Sequence, residues 1–287
     1  MDQLKIFIDL TRLNKPIGFM LLFWPCSWGL AYALYYEKNT QTFFYYLVLF
    51  FFGSVLMRSA GCIINDVVDK DIDKKVDRTK KRPLANNDIS IKRSLLYSLI
   101  LCIFAFLILL QFNLFTIVLG MGSMLLAFSY PFMKRITYWP QLFLGITFNW
   151  GILMASTAIN NTLSFEVFLL YFSAIFWTLG YDTIYGFQDI KDDEIIGLKS
   201  TSIKFKKEPY FFLYACYSFY LITLLVSGYL IELNYISIIL FIIALYQMFY
   251  YQLQKLKIKN SSSCLKIFKS NNYLGLVVFL GLLMGKI

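Results

Sequence analysis

FFYYLVLFFFGSVLMRSAGCIINDVVDKDIDKKVDRTKKRPL, residues 43 to 84, decides the fold. It opens with an apolar run of about 20 residues, the length a helix needs to cross a hydrocarbon core. It closes with clustered aspartates followed by lysines and arginines. A membrane span that empties into a charged segment is the unit from which the rest of the chain can be read.

Eight further apolar stretches follow the same rule, at 17 to 36, 93 to 111, 114 to 133, 139 to 158, 165 to 187, 210 to 231, 235 to 253 and 273 to 287. The chain is 59% hydrophobic and 19% aromatic with a mean hydropathy of +0.62, far above a soluble domain. The expected fold is an all-α integral membrane protein with about nine transmembrane helices in one bundle, a single domain over 1 to 287. Alternating the connections across nine spans places 24 of the 27 lysines and arginines on one side. Lys38 and Lys286 fall opposite, and Arg58 lies inside a span. That asymmetry makes the N-terminus and the long charged connections cytoplasmic. It also accounts for the +10 net charge without nucleic acid as a partner. Residues 1 to 16 carry acids and no small-residue cleavage site, so they read as an interfacial helix and not a signal peptide.

The five cysteines show no metal-ligand or redox spacing and read as buried thiols. The chain has no histidine. Histidine-based acid–base catalysis, histidine metal ligands and serine–histidine triads are therefore excluded. Outer connections are short, whereas the inner ones at 65 to 92 and 188 to 209 are long and aspartate-rich, so function is expected there.

Ten of the 17 acidic residues fall within 65 to 77 and 182 to 194. In the first stretch Asn65, Asp69 and Asp73 recur every four residues, and in the second Asp182, Tyr185, Asp189 and Asp193 share a stripe, so each set occupies one helical face. Crowded carboxylates near a helix C-terminus repel one another and the helix dipole, and need a cation to offset them. Hard oxygen ligands in open clusters suit Mg2+, which completes its shell with water and phosphate oxygens. A calcium loop is excluded because the required glycine and glutamate are missing after Asp69, Asp71 and Asp73. Arg78, Arg82 and Lys199 stand beside the acids and would spread the charge of a diphosphate. Lys80, Lys81, Lys206 and Lys207 read as ordinary inner-face cations, and Gly197 as a helix end.

A third inner connection, SYPFMKRITYWP, sets Tyr130 and Lys134 one turn apart with Arg135 adjacent. Two readings stand: a site for an aromatic carboxylate, or interfacial aromatics with snorkelling cations. Arg58, several residues inside its span, needs a partner, and lies 7 and 11 positions before Asn65 and Asp69 on their face.

These residues resemble the UbiA family of intramembrane prenyltransferases. Asn65, Asp66, Asp69 and Asp73 meet NDxxDxxxD, Asp189 and Asp193 meet DxxxD, and Tyr130 and Lys134 meet YxxxK. The stretches MRSAGCIINDVVDKDIDKKVDRTKKRPL, YPFMKRITYWPQ and GYDTIYGFQDIKDDEIIGLKST carry the likeness, which runs from about Leu10 through the last helix. It is strongest to members that prenylate 4-hydroxybenzoate in ubiquinone biosynthesis at a bacterial inner membrane. The resemblance implies that Asp69, Asp73, Asp189 and Asp193 bind Mg2+ holding a polyprenyl diphosphate, with Asn65, Asp66 and Tyr185 beside them. It also implies that Arg135 or Arg58 holds the carboxylate of 4-hydroxybenzoate. Asp182 or released diphosphate would take the ring proton. Rival readings are a different aromatic acceptor and a cation-coupled transporter, which would place its acids near the bilayer midplane. A phosphatidyltransferase would need the DGxxAR signature, which is absent.

Overall fold

The computed structural model describes residues 3–35 and 40–285, and those residues form helices joined by turns and short connections. Lys38, Lys286 and most of the EKNT connection lie outside them. A short amphipathic helix, α1 (Gln3–Thr11), precedes α2 (Ile17–Ala33) and the long α3 (Thr40–Val68), which passes into a single turn, α4 (Lys70–Asp73). Then follow α5 (Ile91–Leu109), α6 (Leu114–Ile136), α7 (Pro140–Asn149), α8 (Gly151–Asn160) and α9 (Phe165–Gly186). Two short helices, α10 (Ile190–Ile196) and α11 (Thr201–Lys204), lead to α12 (Pro209–Leu230), α13 (Tyr235–Leu245) with a π-helical continuation Tyr246–Leu253, and α14 (Ser261–Met284).

Among the described residues, eight spans are long and apolar enough to cross a membrane, with α7 and α8 counted together as one. The ninth apolar helix, α2, has 17 residues. Polar caps set several starts: Ser90, Asn113, Ser164, Asn234 and Asn260 each accept a backbone N–H of the first turn. Outward faces of α5 and α6 expose Leu95, Leu99, Phe104, Val118 and Leu125, as helices facing lipid do.

Three boundaries depart from the sequence reading. The last helix begins at Ser261, not near 273, because hydropathy marks where polar residues stop and not where a helix starts. Its polar first half is used internally: Trp177 donates its indole N–H to Asn271, Trp24 to Asn272, and Trp28 to the Gly275 carbonyl. The fifth span is interrupted at Trp150, whose indole instead donates to the Leu119 carbonyl. The first acidic stretch is no loop at its start, since α3 runs helically through Asn65 and Asp66 to Val68.

α2 and α9 form the interior. α9 packs against α7, α12 and α14, while α2 is enclosed by α3, α8 and α14. The α2–α8 crossing is tight enough to require glycine, since a Cβ on Gly29 would lie 2.5 Å from the Ile152 carbonyl oxygen. Trp28 and Trp177 are fully buried where these elements meet, with ring centroids 4.8 Å apart. All five cysteines are free thiols, four of them buried.

Candidate active site

Both acidic segments use the same backbone device at one end of the bundle. α3 stops at Asp69 (φ −98°, ψ 6°) and α9 gives way at Asp189 (φ −111°, ψ 4°), each the residue that begins a new short helix. That bridging conformation is sparsely populated and recurs at active sites. Four residues on, the Asp73 N–H donates to the Asp69 carbonyl at 2.8 Å and the Asp193 N–H to the Asp189 carbonyl at 2.9 Å. The spacing of each aspartate pair is thus fixed by a hydrogen-bonded turn. Gly197 closes α10 in the left-handed region (φ 80°), as its position suggested.

The two segments are joined by a cation. Arg78, on the connection after α4, grips Asp189 with two N–H groups, one at 2.6 Å, and donates a third to the Tyr185 hydroxyl at 3.0 Å. Its guanidinium also lies 5.5 Å from the Tyr185 ring centre. Lys134, near the C-terminal end of α6, pairs with Asp69 and also acts electrostatically on Asp193. Residues 69, 78, 134, 189 and 193, scattered over more than a hundred positions of sequence, therefore share one site.

A second chain of ion pairs runs behind the first. Arg82 donates to Asp66 at 3.2 Å and to Asp73 at 2.7 Å, and Arg12 reaches Asp66 at 2.5 Å. Asp66 is 1% exposed, so its charge is sustained by these two arginines and not by water. Burial raises the Asp73 carboxyl above its ordinary range against the pull of Arg82, with Asp66 and Asp69 pushing the same way as burial. Asp193 is pushed up to about 6, first by burial and then by Asp189, against the positive charges of Lys134 and Arg78.

Among the described residues no three carboxylates or thiols converge as a preformed metal cage. The donor set nonetheless fits Mg2+, which takes one or two protein carboxylates and fills its shell with water and phosphate oxygens. Asp69 with Asp73, and Asp189 with Asp193, are two such pairs of hard ligands, each balanced by side-chain cations that a diphosphate could also engage.

Deeper in the bundle lies a polar cluster that spacing placed only in part. Arg58, on the face of Asn65 and Asp69, acts electrostatically on the carboxylate of Asp182 on α9. Its guanidinium lies 5.7 Å from the Phe148 ring centre, and a Cβ on Gly18 would approach its Nε at 2.9 Å. That Nε is buried with no hydrogen-bond partner. The Tyr130 hydroxyl sits within the fields of Asp182, Arg58, Asp69 and Tyr185, which links the cluster to the acidic end. Arg135 instead donates to the Val68 carbonyl at 2.9 Å and to Asp69 at 3.4 Å, on the exposed rim. Lys199 is turned from the acids, donating to the Ile136 carbonyl at 3.1 Å over the Tyr138 ring. Sequence reading missed Arg12, in the turn after α1, and Gly18 and Phe148, within α2 and α7, because no motif or spacing singles them out.

Residues 22–280 match the UbiA prenyltransferase family. The chain belongs to that family. Its relatives include the mitochondrial 4-hydroxybenzoate polyprenyltransferase of Bos taurus, 43% identical over 99% of this chain and 76% of that protein. The 4-hydroxybenzoate octaprenyltransferase of Histophilus somni is 42% identical over 99% of this chain and 98% of its own. In three dimensions a UbiA homolog from Aeropyrum pernix K1 superposes with a TM-score of 0.73 at 20% identity, covering 94% of this chain and 99% of that one. Another from Archaeoglobus fulgidus, bound to GPP and Mg2+, does so with a TM-score of 0.72 at 16% identity, covering 97% and 99%. At those identities the likeness concerns the fold. As a UbiA-family chain with eight apolar spans among its described residues, this is a multi-spanning membrane protein.

Proposed function

We propose that this UbiA-family chain transfers a polyprenyl group from polyprenyl diphosphate to the ring carbon ortho to the hydroxyl of 4-hydroxybenzoate. The observation that carries the reading is the Arg78 bridge from the first acidic segment to Asp189 and Tyr185 of the second, which brings two distant motifs into one site. Relatives about 40% identical along nearly the whole chain and named for this reaction support the choice of acceptor.

Asp69, Asp73, Asp189 and Asp193 would hold Mg2+, which when bound supplies positive charge to the diphosphate oxygens as the allylic C–O bond breaks. Arg78, Arg82 and Lys134 swing from their carboxylates to those oxygens. Asn65 and Tyr185 line the approach. Arg58 takes the carboxylate of the aromatic acid, because its Nε is buried without a partner while Arg135 is committed at the rim. The ring carbon attacks prenyl C1 as the C–O bond electrons leave with the diphosphate. Asp182, which makes no ion pair within 4.0 Å among the described residues, receives the ring proton and restores aromaticity. Enclosure within the bundle keeps water from the electrophilic carbon.

The inner-face charge asymmetry supports a cytoplasmic active site in a bacterial inner membrane, where the product would enter ubiquinone biosynthesis. Membranes carrying the protein, supplied with Mg2+, a series of prenyl diphosphates and competing aromatic acids, should prenylate 4-hydroxybenzoate and lose that activity with EDTA. Absence of transfer to 4-hydroxybenzoate from every donor would overturn the assignment.

A further inference from the structure

The charge chain behind the acidic site starts on an element outside the bundle. Helix α1 docks through Ile6 and Leu10 against Ile63 of α3 and against Leu84 and Ile89 of the connection that follows α4, with Phe7 edge-on to Tyr97 of α5 at 5.3 Å. Just past its end, Arg12 adopts φ 56°, a left-handed conformation uncommon for a side-chain-bearing residue. The turn carries its guanidinium under α3 to Asp66 at 2.5 Å. Strain of this kind persists where surrounding contacts hold it and points to a role for the side chain.

Arg82 serves two carboxylates with the same Nη1, weakly at Asp66 (3.2 Å) and firmly at Asp73 (2.7 Å). Asp66 is the more buried of the two and meets its obligations mainly through Arg12. Without Arg12, a buried charge would be left with Arg82 as its only cation among the described residues, and a buried carboxylate holds such a partner tightly.

We propose that Arg12 is a positioning residue for diphosphate binding: by neutralising Asp66 it frees Arg82 to serve the mouth of the acidic site. The inference rests on the diphosphate-site reading above. It separates two roles within the first motif, with Asp69 and Asp73 facing the ligand and Asp66 anchoring the cations behind them. It also makes the docking of α1 a condition for the proper charge of the site. The effect is directional. Loss of Arg12 should weaken the hold on diphosphate, where Arg82 is needed, without weakening bare divalent-cation binding, because the site has lost a positive charge.

The test uses the full chain in detergent, with Mn2+ as the spectroscopic probe and inorganic pyrophosphate as the anion. Wild type should bind Mn2+ by electron paramagnetic resonance and then pyrophosphate. Arg12→Gln should raise the pyrophosphate dissociation constant about tenfold, the scale of one charged hydrogen bond, with Mn2+ affinity equal or higher. In an Asp66→Asn background the same Arg12→Gln change should have no further effect, since the neutral amide no longer captures Arg82. That double variant also removes the unpaired buried charge and stands in if Arg12→Gln alone does not fold, when Arg12→Lys should show a smaller pyrophosphate defect. Equal weakening of Mn2+ and pyrophosphate, or an undiminished Arg12 effect in the Asp66→Asn background, would refute the role. If wild type itself binds neither probe, the diphosphate-site reading fails instead.

Discussion

Replacing Arg78 by Gln removes the bridge between the two acidic segments, and the expected result is a split of two constants in opposite directions. Arg78 occupies both oxygens of Asp189. A divalent cation seeking Asp189 must displace it. The Arg78 side chain is 38% exposed and Asp189 15% exposed, so the bidentate pair is discounted from the roughly 1.5–3 kcal/mol of charged hydrogen bonds to about 1 kcal/mol. Removing that competition should tighten Mg2+ binding by about fivefold. The same guanidinium is needed by the diphosphate, where it meets a fuller charge. Its loss there should cost roughly 2 kcal/mol, near thirtyfold in the KM for the prenyl donor. The assay is prenyl transfer in membranes, with Mg2+ titrated at saturating donor and donor titrated at saturating Mg2+. A donor KM unchanged beside wild type, or a Mg2+ requirement that rises with it, would show that Arg78 is a structural tie and not a shared latch.

Asp189→Asn and Asp69→Asn should each lower turnover by at least about a hundredfold while thermal unfolding stays near wild type, because each change takes a ligand and not a packing group; unaltered Mg2+-dependent turnover would remove these residues from the site. Arg58→Ala should raise the KM for the aromatic acid well above that of Arg135→Ala and leave the donor KM alone, which steady-state kinetics with each substrate varied would check. Lowering pH through about 6 should raise the Mg2+ concentration needed for half-maximal rate. The sign follows from Asp193, whose raised pKa keeps a proton on the carboxylate at a pH where an ordinary aspartate would be ionised and free to bind a cation; a flat Mg2+ requirement between pH 5 and 7, values chosen to bracket that pKa, would contradict it.

Much of this architecture is written locally. Twenty-residue apolar runs dictate spans because the bilayer leaves a backbone few other options, and four-residue spacing of aspartates survives because both segments remain helical around a single break. The break at Asp69 is not legible, since no glycine or proline marks it, while Gly186, which ends α9, is the one local signal ahead of Asp189. α14 was started too late because Asn271 and Asn272 look like a polar flank until their indole partners on α9 and α2 are known. The face that Arg58 shares with Asn65 and Asp69 is legible from spacing, whereas the carboxylate its charge acts on, Asp182, comes from a span more than a hundred residues away. Arg12 carries no signal at all, because its meaning depends on the left-handed turn it makes after α1. Proximity across the bundle is a property of the packed helices, and spacing within one helix does not encode it.

The three indole hydrogen bonds to α14 bear on how the bundle comes together. Trp24, Trp28 and Trp177 are synthesised well before the residues that satisfy them, and each donor would wait in a medium that offers no water. An inserted chain lacking its final helix would hold three unsatisfied N–H groups along an open seam between α2 and α9. Arrival of α14 closes that seam and joins the earliest span to the last. Truncations that remove α14 should therefore be recognised by quality-control proteases as unfinished and not merely as inactive.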